Sequence, residues 1–169
     1  MKHPTLTLER LKQVYLYDPE TGEFIRLQET NSHRGRAKVG GVAGSNSGER
    51  YIRIGIDGQV YRAHRLAWFY MTGEWPENGV DHEDLDPSNN RWSNLRPATQ
   101  SQNAVNTRKR RDNTSGFKGV CKTPSGTWQA VIWVKQRKIC LGTFTTPQEA
   151  FSAYQLAAEE HFGKYHRKS

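Results

Sequence analysis

Apolar residues are scarce in this 169-residue chain, making up 34% of it against roughly 45–50% for an average globular domain counted with glycine. Mean hydropathy is correspondingly low, at −0.88. A core drawn from so little is thin or divided, so two small units suit the length better than one large one. No apolar run approaches the roughly 20 residues of a membrane helix, and Met1-Lys2-His3-Pro4 leads into no signal-peptide core. These absences exclude a membrane partner and point to a soluble protein of the cytoplasm. Two cysteines, Cys121 and Cys140, are too few for a disulfide framework or a four-ligand zinc site, and no structural zinc is expected. Acidic residues run short in one half only. Residues 1–103 hold 13 Lys+Arg and 13 Asp+Glu, whereas residues 104–169 hold 12 and 4, so the entire net charge of +8 lies in the second part. Within the first part, 31–65 is basic and 66–103 acidic. A pI near 9.7 suits a polyanionic partner, most simply nucleic acid.

Local signals place the elements. Residues 7–12 read as a short helix, and Tyr17 to Phe24 as a turn between strands. From Asn31 to Gly48 the composition is that of an exposed loop, either a solvated connector or a segment lying along phosphates. Asp57-Gly58, flanked by Tyr51–Ile56 and Gln59–Arg62, is a strong hairpin signal. An apolar helix over 64–71 follows, ended by Gly73 and Pro76. Residues 74–103 are dense in Asp, Asn and Pro, a composition that folds around a small template or around a site.

Asp81-His82 is followed twelve residues later by Asn94 and nine after that by Asn103, with His64-Arg65-Leu66 ahead of the set. This order and spacing resembles the HNH (ββα-metal, or His-Me finger) endonucleases, especially the phage-type homing enzymes, over roughly residues 50–106. The residues support such chemistry on their own account. Phosphodiester hydrolysis needs a base for water and a cation for the charge on the leaving oxygen, and a histidine and hard oxygen ligands supply the two. The resemblance implies His82 as general base, Asp81 and Asn103 as ligands of a divalent metal, Mg²⁺ or Mn²⁺, and Asn94 as the catalytic-site residue that braces the loop holding His82. Read alone, an Asp-His pair can be a surface turn, and the asparagines can be caps. His64 suits a structural role at a helix start, with a phosphate contact as the alternative; Glu83, Asp84 and Asp86 read as solvated loop acids. Arg65 and Arg96 are candidate DNA contacts.

Arg108, Lys109, Arg110 and Arg111 form a basic linker over 107–112, with phosphate contact as its functional reading. Strands are expected over 117–122, 127–135 and 138–144, joined by turns at 124–126 and Gln136-Arg137, with alternation that gives one core face. Thr146, Pro147 and Glu149 open a helix with a capping box, and Ala150, Ala153, Tyr154, Ala157, Ala158 and His161 mark its packed stripe. Ser115–Val120, Trp128–Ala130, Leu141–Phe144 and Glu149–Tyr154 look like the Apetala/ethylene-response-factor DNA-binding domain over 113–169. That resemblance implies that the sheet face away from the helix, with Cys121, Thr123, Val131, Trp133, Lys138 and Cys140, enters the major groove, with Lys118 near the phosphates; Lys122 and Lys135 join the candidate DNA contacts. Cys121 and Cys140 then fall on opposite edge strands, too far apart to pair.

The expected fold is therefore α+β: an N-terminal hairpin region leading into a ββα-metal core (1–106), then a three-stranded antiparallel sheet on one helix. The expected function is metal-dependent cleavage of double-stranded DNA by a monomer that nicks one strand, in the host cytoplasm for a phage-encoded enzyme. The alternative is a sequence-specific DNA-binding regulator with an inactive nuclease half. A structural RNA-binding protein fits less well, because no aromatic stacking signature is present.

Overall fold

The computed structural model describes residues 6–32, 35–45, 50–106 and 113–165. The chain divides after Pro97 into two compact units, 1–97 and 98–169. That division falls upstream of the basic segment 107–112, which lies outside the described residues.

In the first unit, α1 (Leu8–Val14) is opened by Thr7, whose hydroxyl accepts from the Arg10 amide, and it buries Leu11 and Val14. The chain passes directly into β1 (Tyr15–Asp18), which pairs antiparallel with β2 (Glu23–Arg26) through a turn at Gly22. Gly22 has a φ of +77°, and a Cβ there would lie 2.4 Å from backbone atoms of Asn90 and Arg91, so only glycine fits. The stretch read as a loop over 31–48 is more ordered than its composition suggests. It holds most of the small hairpin of β3 (Thr30–Ser32) and β4 (Gly35–Ala37), and β5 (Val42–Ala43), which extends the first sheet by pairing with β2. Two residues are too few to show a period, and what holds β5 is the remote contact of Ala43 with Phe24, both buried. The hairpin of β6 (Arg53–Ile56) and β7 (Gln59–Arg62) turns at Asp57 and Gly58, both with positive φ as a tight two-residue turn requires. It feeds α2 (Ala63–Thr72), ended by Gly73 in the left-handed region. Then β8 (Gly79–His82) pairs with β9 (Leu95–Ala98) across a turn-rich connection that ends in a 3-10 turn, Trp92–Asn94. One core links these elements, with Leu11, Phe24, Ile54 and Leu66 essentially solvent-free.

The second unit begins with α3 (Gln100–Asn106), followed by an antiparallel sheet in the order β10 (Val120–Lys122), β11 (Trp128–Val134), β12 (Arg137–Phe144), and then α4 (Pro147–Phe162). The β11–β12 turn is Lys135-Gln136, with φ of +48° and +65°. Lys135, expected at a strand end, is thus a turn residue, one position earlier than the sequence suggested. The strained turn is tolerated because pairing Val134 with Arg137 keeps Ala130 and Ile132 on the buried face. A bulge at Leu141 resets the register between Ala130 opposite Gly142 and Val131 opposite Cys140. The capping box of α4 forms as read, with Thr146 Oγ1 accepting from the Glu149 amide and Glu149 returning the bond. Its packed stripe is Ala150, Tyr154, Ala158 and Phe162, one residue on from His161, which is exposed. Cys121 and Cys140 are free and exposed on the two outer strands.

Candidate functional site

β8 ends in the acidic stretch on Asp81 and His82, each only 5% exposed. Asp81 Oδ2 accepts from Arg96 Nε at 3.3 Å and Nη2 at 3.1 Å, while Arg96 Nη1 reaches Glu83 at 3.4 Å. Arg96 was expected on DNA. It instead points inward from β9, with its side chain 10% exposed, because a carboxylate as buried as Asp81 needs a cation beside it.

His82 Nε2 lies 3.2 Å from Asn90 Oδ1. With the amide so oriented Nε2 carries the proton, and Nδ1 is the basic nitrogen of the neutral ring. Asn90 is itself pinned: Tyr17 Oη donates to its carbonyl at 2.7 Å, and its Nδ2 donates to the Ser88 carbonyl. Burial lowers the His82 pKa below the usual histidine value; the Asn90 bond and the charges of Asp84, Asp81 and Asp86 oppose it. The ring is therefore unprotonated at neutral pH.

Asn94 stands where the loop between His82 and β9 closes. Its Nδ2 donates to Asp84 Oδ1 at 2.9 Å and to the Asn89 carbonyl at 2.8 Å, and its Oδ1 accepts from the Asp84 amide at 3.1 Å. Asp84 also takes Asn89 Nδ2 at 2.7 Å, and Asp86 caps Ser88. The loop acids are thus exposed at their rims yet employed in turns, which holds the carboxyls of Asp84 and Asp86 below the usual range.

His64, at the start of α2, is 4% exposed, and its Nδ1 is buried without a hydrogen-bond partner among the described residues. Its ring lies 5.0 Å from that of His82 and 4.9 Å from that of Tyr51, and Tyr51 also stacks on His82 at 6.1 Å. Burial first, then the charge that His82 carries once it is protonated at lower pH and those of Arg62 and Arg65, push the His64 pKa down to about 3. Sequence reasoning missed Tyr51 and the pinning role of Asn90. The paired asparagines at 89 and 90 were the available signal for one; nothing local marks the other.

Asn103 is half-buried on α3, in the second unit. α3 has a capping box of its own, with the Thr99 amide donating to Gln102 Oε1 at 2.8 Å and the Gln102 amide to Thr99 Oγ1 at 3.3 Å. At the other end Lys118 Nζ donates to the carbonyls of Ala104 at 2.9 Å and Val105 at 2.5 Å. Lys118, expected near phosphates, is drawn instead to the carbonyls and negative dipole of this helix end. Burial lowers its pKa to about 8. Arg65 is half-buried, its Nη2 3.5 Å from the Pro76 carbonyl. Lys122 is exposed with Nζ 5.7 Å from the Trp128 ring, and Thr123 is tied into its turn with Ser125 and Thr127. Trp133 is 57% exposed, and Lys135 and Lys138 are exposed beside it. Arg108 to Arg111 lie outside the described residues.

The first unit thus presents a buried imidazole next to a buried carboxylate, His82 and Asp81. Residues 61–105 match the HNH endonuclease family, and the chain carries an HNH endonuclease domain there. Protein 3.8 of Escherichia phage T7 is 33% identical over 91 residues, 52% of this chain and 66% of its own. An uncharacterized HNH endonuclease, L560, of Acanthamoeba polyphaga mimivirus is 35% identical over 86 residues, 51% of this chain and 44% of its own. The AP2/ERF and B3 domain-containing transcription repressor TEM1 of Arabidopsis thaliana is 39% identical over 64 residues, 38% of this chain. The chain spans only 18% of that plant protein's length. No solved structure matches.

HNH nucleases generally use a divalent metal. Among the described residues no group of three or more His, Cys, Asp or Glu side chains could cage an ion. The donors that are present are hard oxygens, which fits Mg²⁺, an ion that keeps several waters and binds through one or two protein ligands plus a phosphate. No described helix is long and apolar enough to cross a membrane.

Proposed function

We propose that the protein is a metal-dependent DNA endonuclease of the HNH type, with His82 as general base. The observation that carries this reading is the His82 ring: buried, neutral, its Nε2 committed to Asn90, and set beside Asp81. Through Nδ1 such a ring takes a proton from water attacking a phosphodiester. Asn94 holds the loop that fixes the ring, and Arg96 orients the Asp81 carboxylate. Asp81 and Asn103 are the proposed ligands of a divalent ion, Mg²⁺ or Mn²⁺, which supplies charge neutralisation at the leaving oxygen. In this reading residues 50–106 are the nuclease core, with β8, β9 and α3 as its ββα elements, 107–112 is a basic linker, and 113–169 grips duplex DNA. The exposed sheet face with Trp133 and Lys138, and Lys122, Thr123 and Lys135 near its turns, supports that grip, as does the similarity to plant AP2/ERF transcription factors. The same similarity favours, as a second reading, a DNA-binding regulator whose nuclease half is silent.

One copy of the Asp81, His82, Asn103 set suits a monomer that nicks one strand, working in the cytoplasm. Incubated with supercoiled plasmid and Mg²⁺, the protein should give open circles before linear DNA, and chelator should stop it. His82→Ala should cut about 10²- to 10⁴-fold more slowly while binding DNA nearly as well. Binding without cleavage in the wild type would leave the regulator; full activity in chelator would remove the metal.

A further inference from the structure

α3 has seven residues, too few to stand by propensity alone, so its direction is whatever its contacts make it. Those contacts lie in the second unit. Val105, 5% exposed, joins Ile132 of β11 and Tyr154, Ala158 and Phe162 of α4 in one apolar cluster. At the C-terminal end of the helix, Lys118 Nζ donates to the Ala104 and Val105 carbonyls at 2.9 and 2.5 Å. Lys118 is brought there along a fixed path. The next residue, Gly119, has a φ of +72°, and a Cβ on it would lie 2.2 Å from the Tyr154 ring, so the chain passes tightly over an aromatic that shares the cluster with Val105. The Gly119 carbonyl also accepts from the Val131 amide at 2.8 Å, which ties this crossing to β11.

Helix geometry turns that seat into a direction. At roughly 100° per residue, Asn103 stands about 200° round α3 from Val105. With Val105 in the core of the second unit, Asn103 is therefore presented on the opposite side of the helix, where it is half-buried.

We propose that Lys118 and Val105 are positioning residues for Asn103, so that the unit read as the grip on duplex DNA also holds the metal ligand of the nuclease. The purpose of this seat rests on the reading of Asn103 as a ligand; its mechanism rests on the packing of α3. Lys118 acts by closing the last turn of the helix, Val105 by fixing its roll. Residues that orient a ligand from behind typically change metal affinity about 10- to 100-fold.

The test titrates Mn²⁺ into the ¹⁵N-labelled full chain and reads the dissociation constant from the broadening of the Asp81 amide signal. Lys118→Met and Val105→Ala should each raise that constant about 10-fold or more, and Lys118→Arg, which keeps a cationic donor, should recover most of the loss. Thr146→Ala removes the cap of α4 in the same unit and should leave the constant unchanged, which separates positioning from general destabilisation. With duplex DNA present, Lys118→Met should need correspondingly more Mg²⁺ for half-maximal cleavage, while its DNA affinity in chelator stays at the wild-type value. Wild-type Mn²⁺ affinity in both Lys118→Met and Val105→Ala, or an equal loss in Thr146→Ala, would overturn the positioning role. Asn103→Ala tests the reading beneath it. A loss there without one in Lys118→Met and Val105→Ala would keep the ligand and sink the seat, whereas wild-type affinity in Asn103→Ala would remove the ligand and the seat's purpose together.

Discussion

At the scale of single residues, the site depends on charges withdrawn from water in compensated pairs. Arg96 and Asp81 are the clearest case, with side-chain exposures of 10% and 6%. Arg96→Met removes the guanidinium from beside a buried carboxylate and should cost about 3–5 kcal/mol in urea denaturation, with Arg96→Lys recovering part of it. A loss under about 1 kcal/mol would show that the Arg96 guanidinium is not what compensates the Asp81 charge. His64 offers a pH prediction. Its pKa is about 3 in the native chain against 6.5 in the unfolded one, so between those values the unfolded state binds more protons. Stability must then fall as pH drops from about 6.5 towards 3, and the lowered His82 value acts in the same direction. His64→Leu should flatten the decline of the urea midpoint between neutral pH and about 4, and should be close to neutral at pH 7, because it also deletes the unpartnered Nδ1. An unchanged decline would place the acid sensitivity elsewhere. Both pairs were hidden in the sequence: Arg96 lies 15 residues from Asp81, and His64 lies 18 from His82. Nothing local tells an arginine that turns inward from one that reaches for phosphate.

At the scale of elements, punctuation made some pieces legible and its absence hid others. Asp57-Gly58 and the Thr146–Glu149 box are local devices whose geometry depends on neighbouring residues alone, and both formed where they were read. α3 is the instructive exception. Its seven residues are too few to hold a helix by propensity, so its ends matter. Thr99 and Gln102 close one end by a signature present in the sequence, and Lys118 closes the other from 12 residues beyond the helix. Thr99→Ala and Lys118→Met should each lower stability by about 1 kcal/mol, seen as a drop in melting temperature. Neither should change the salt dependence of DNA binding. A flattened salt slope in Lys118→Met would return that lysine to the phosphates.

At the scale of the molecule, charge and chemistry are unequally divided. Residues 104–169 carry all the net charge, while Asp81, His82 and the loop braced by Asn94 belong to the first unit. Truncation after Asn106 should therefore weaken DNA binding and flatten the salt slope more than any single substitution in the first unit. A full chain neutralising about 6–10 phosphates loses roughly 10³- to 10⁵-fold in affinity between 50 and 200 mM salt. An unchanged slope in the truncated protein would refute this division of labour.

Length, the scarcity of apolar residues, the one-sided charge, the turns at Gly22 and Asp57-Gly58, the capping boxes and the spacing of Asp81, His82, Asn94 and Asn103 were all determined along the chain. Each rests on residues close enough in sequence to bias one another, or on bulk composition. Tertiary structure alone decided which groups share a buried volume: Arg96 with Asp81, Asn90 with His82, Tyr51 over both histidines, Lys118 on the carbonyls of α3, and Ala43 beside Phe24. The reason is energetic. A local signal is worth about 1 kcal/mol and needs no partner from afar, whereas a buried polar group left unpaired costs several times that. The fold therefore chooses such partners wherever packing brings them, whatever their distance along the chain.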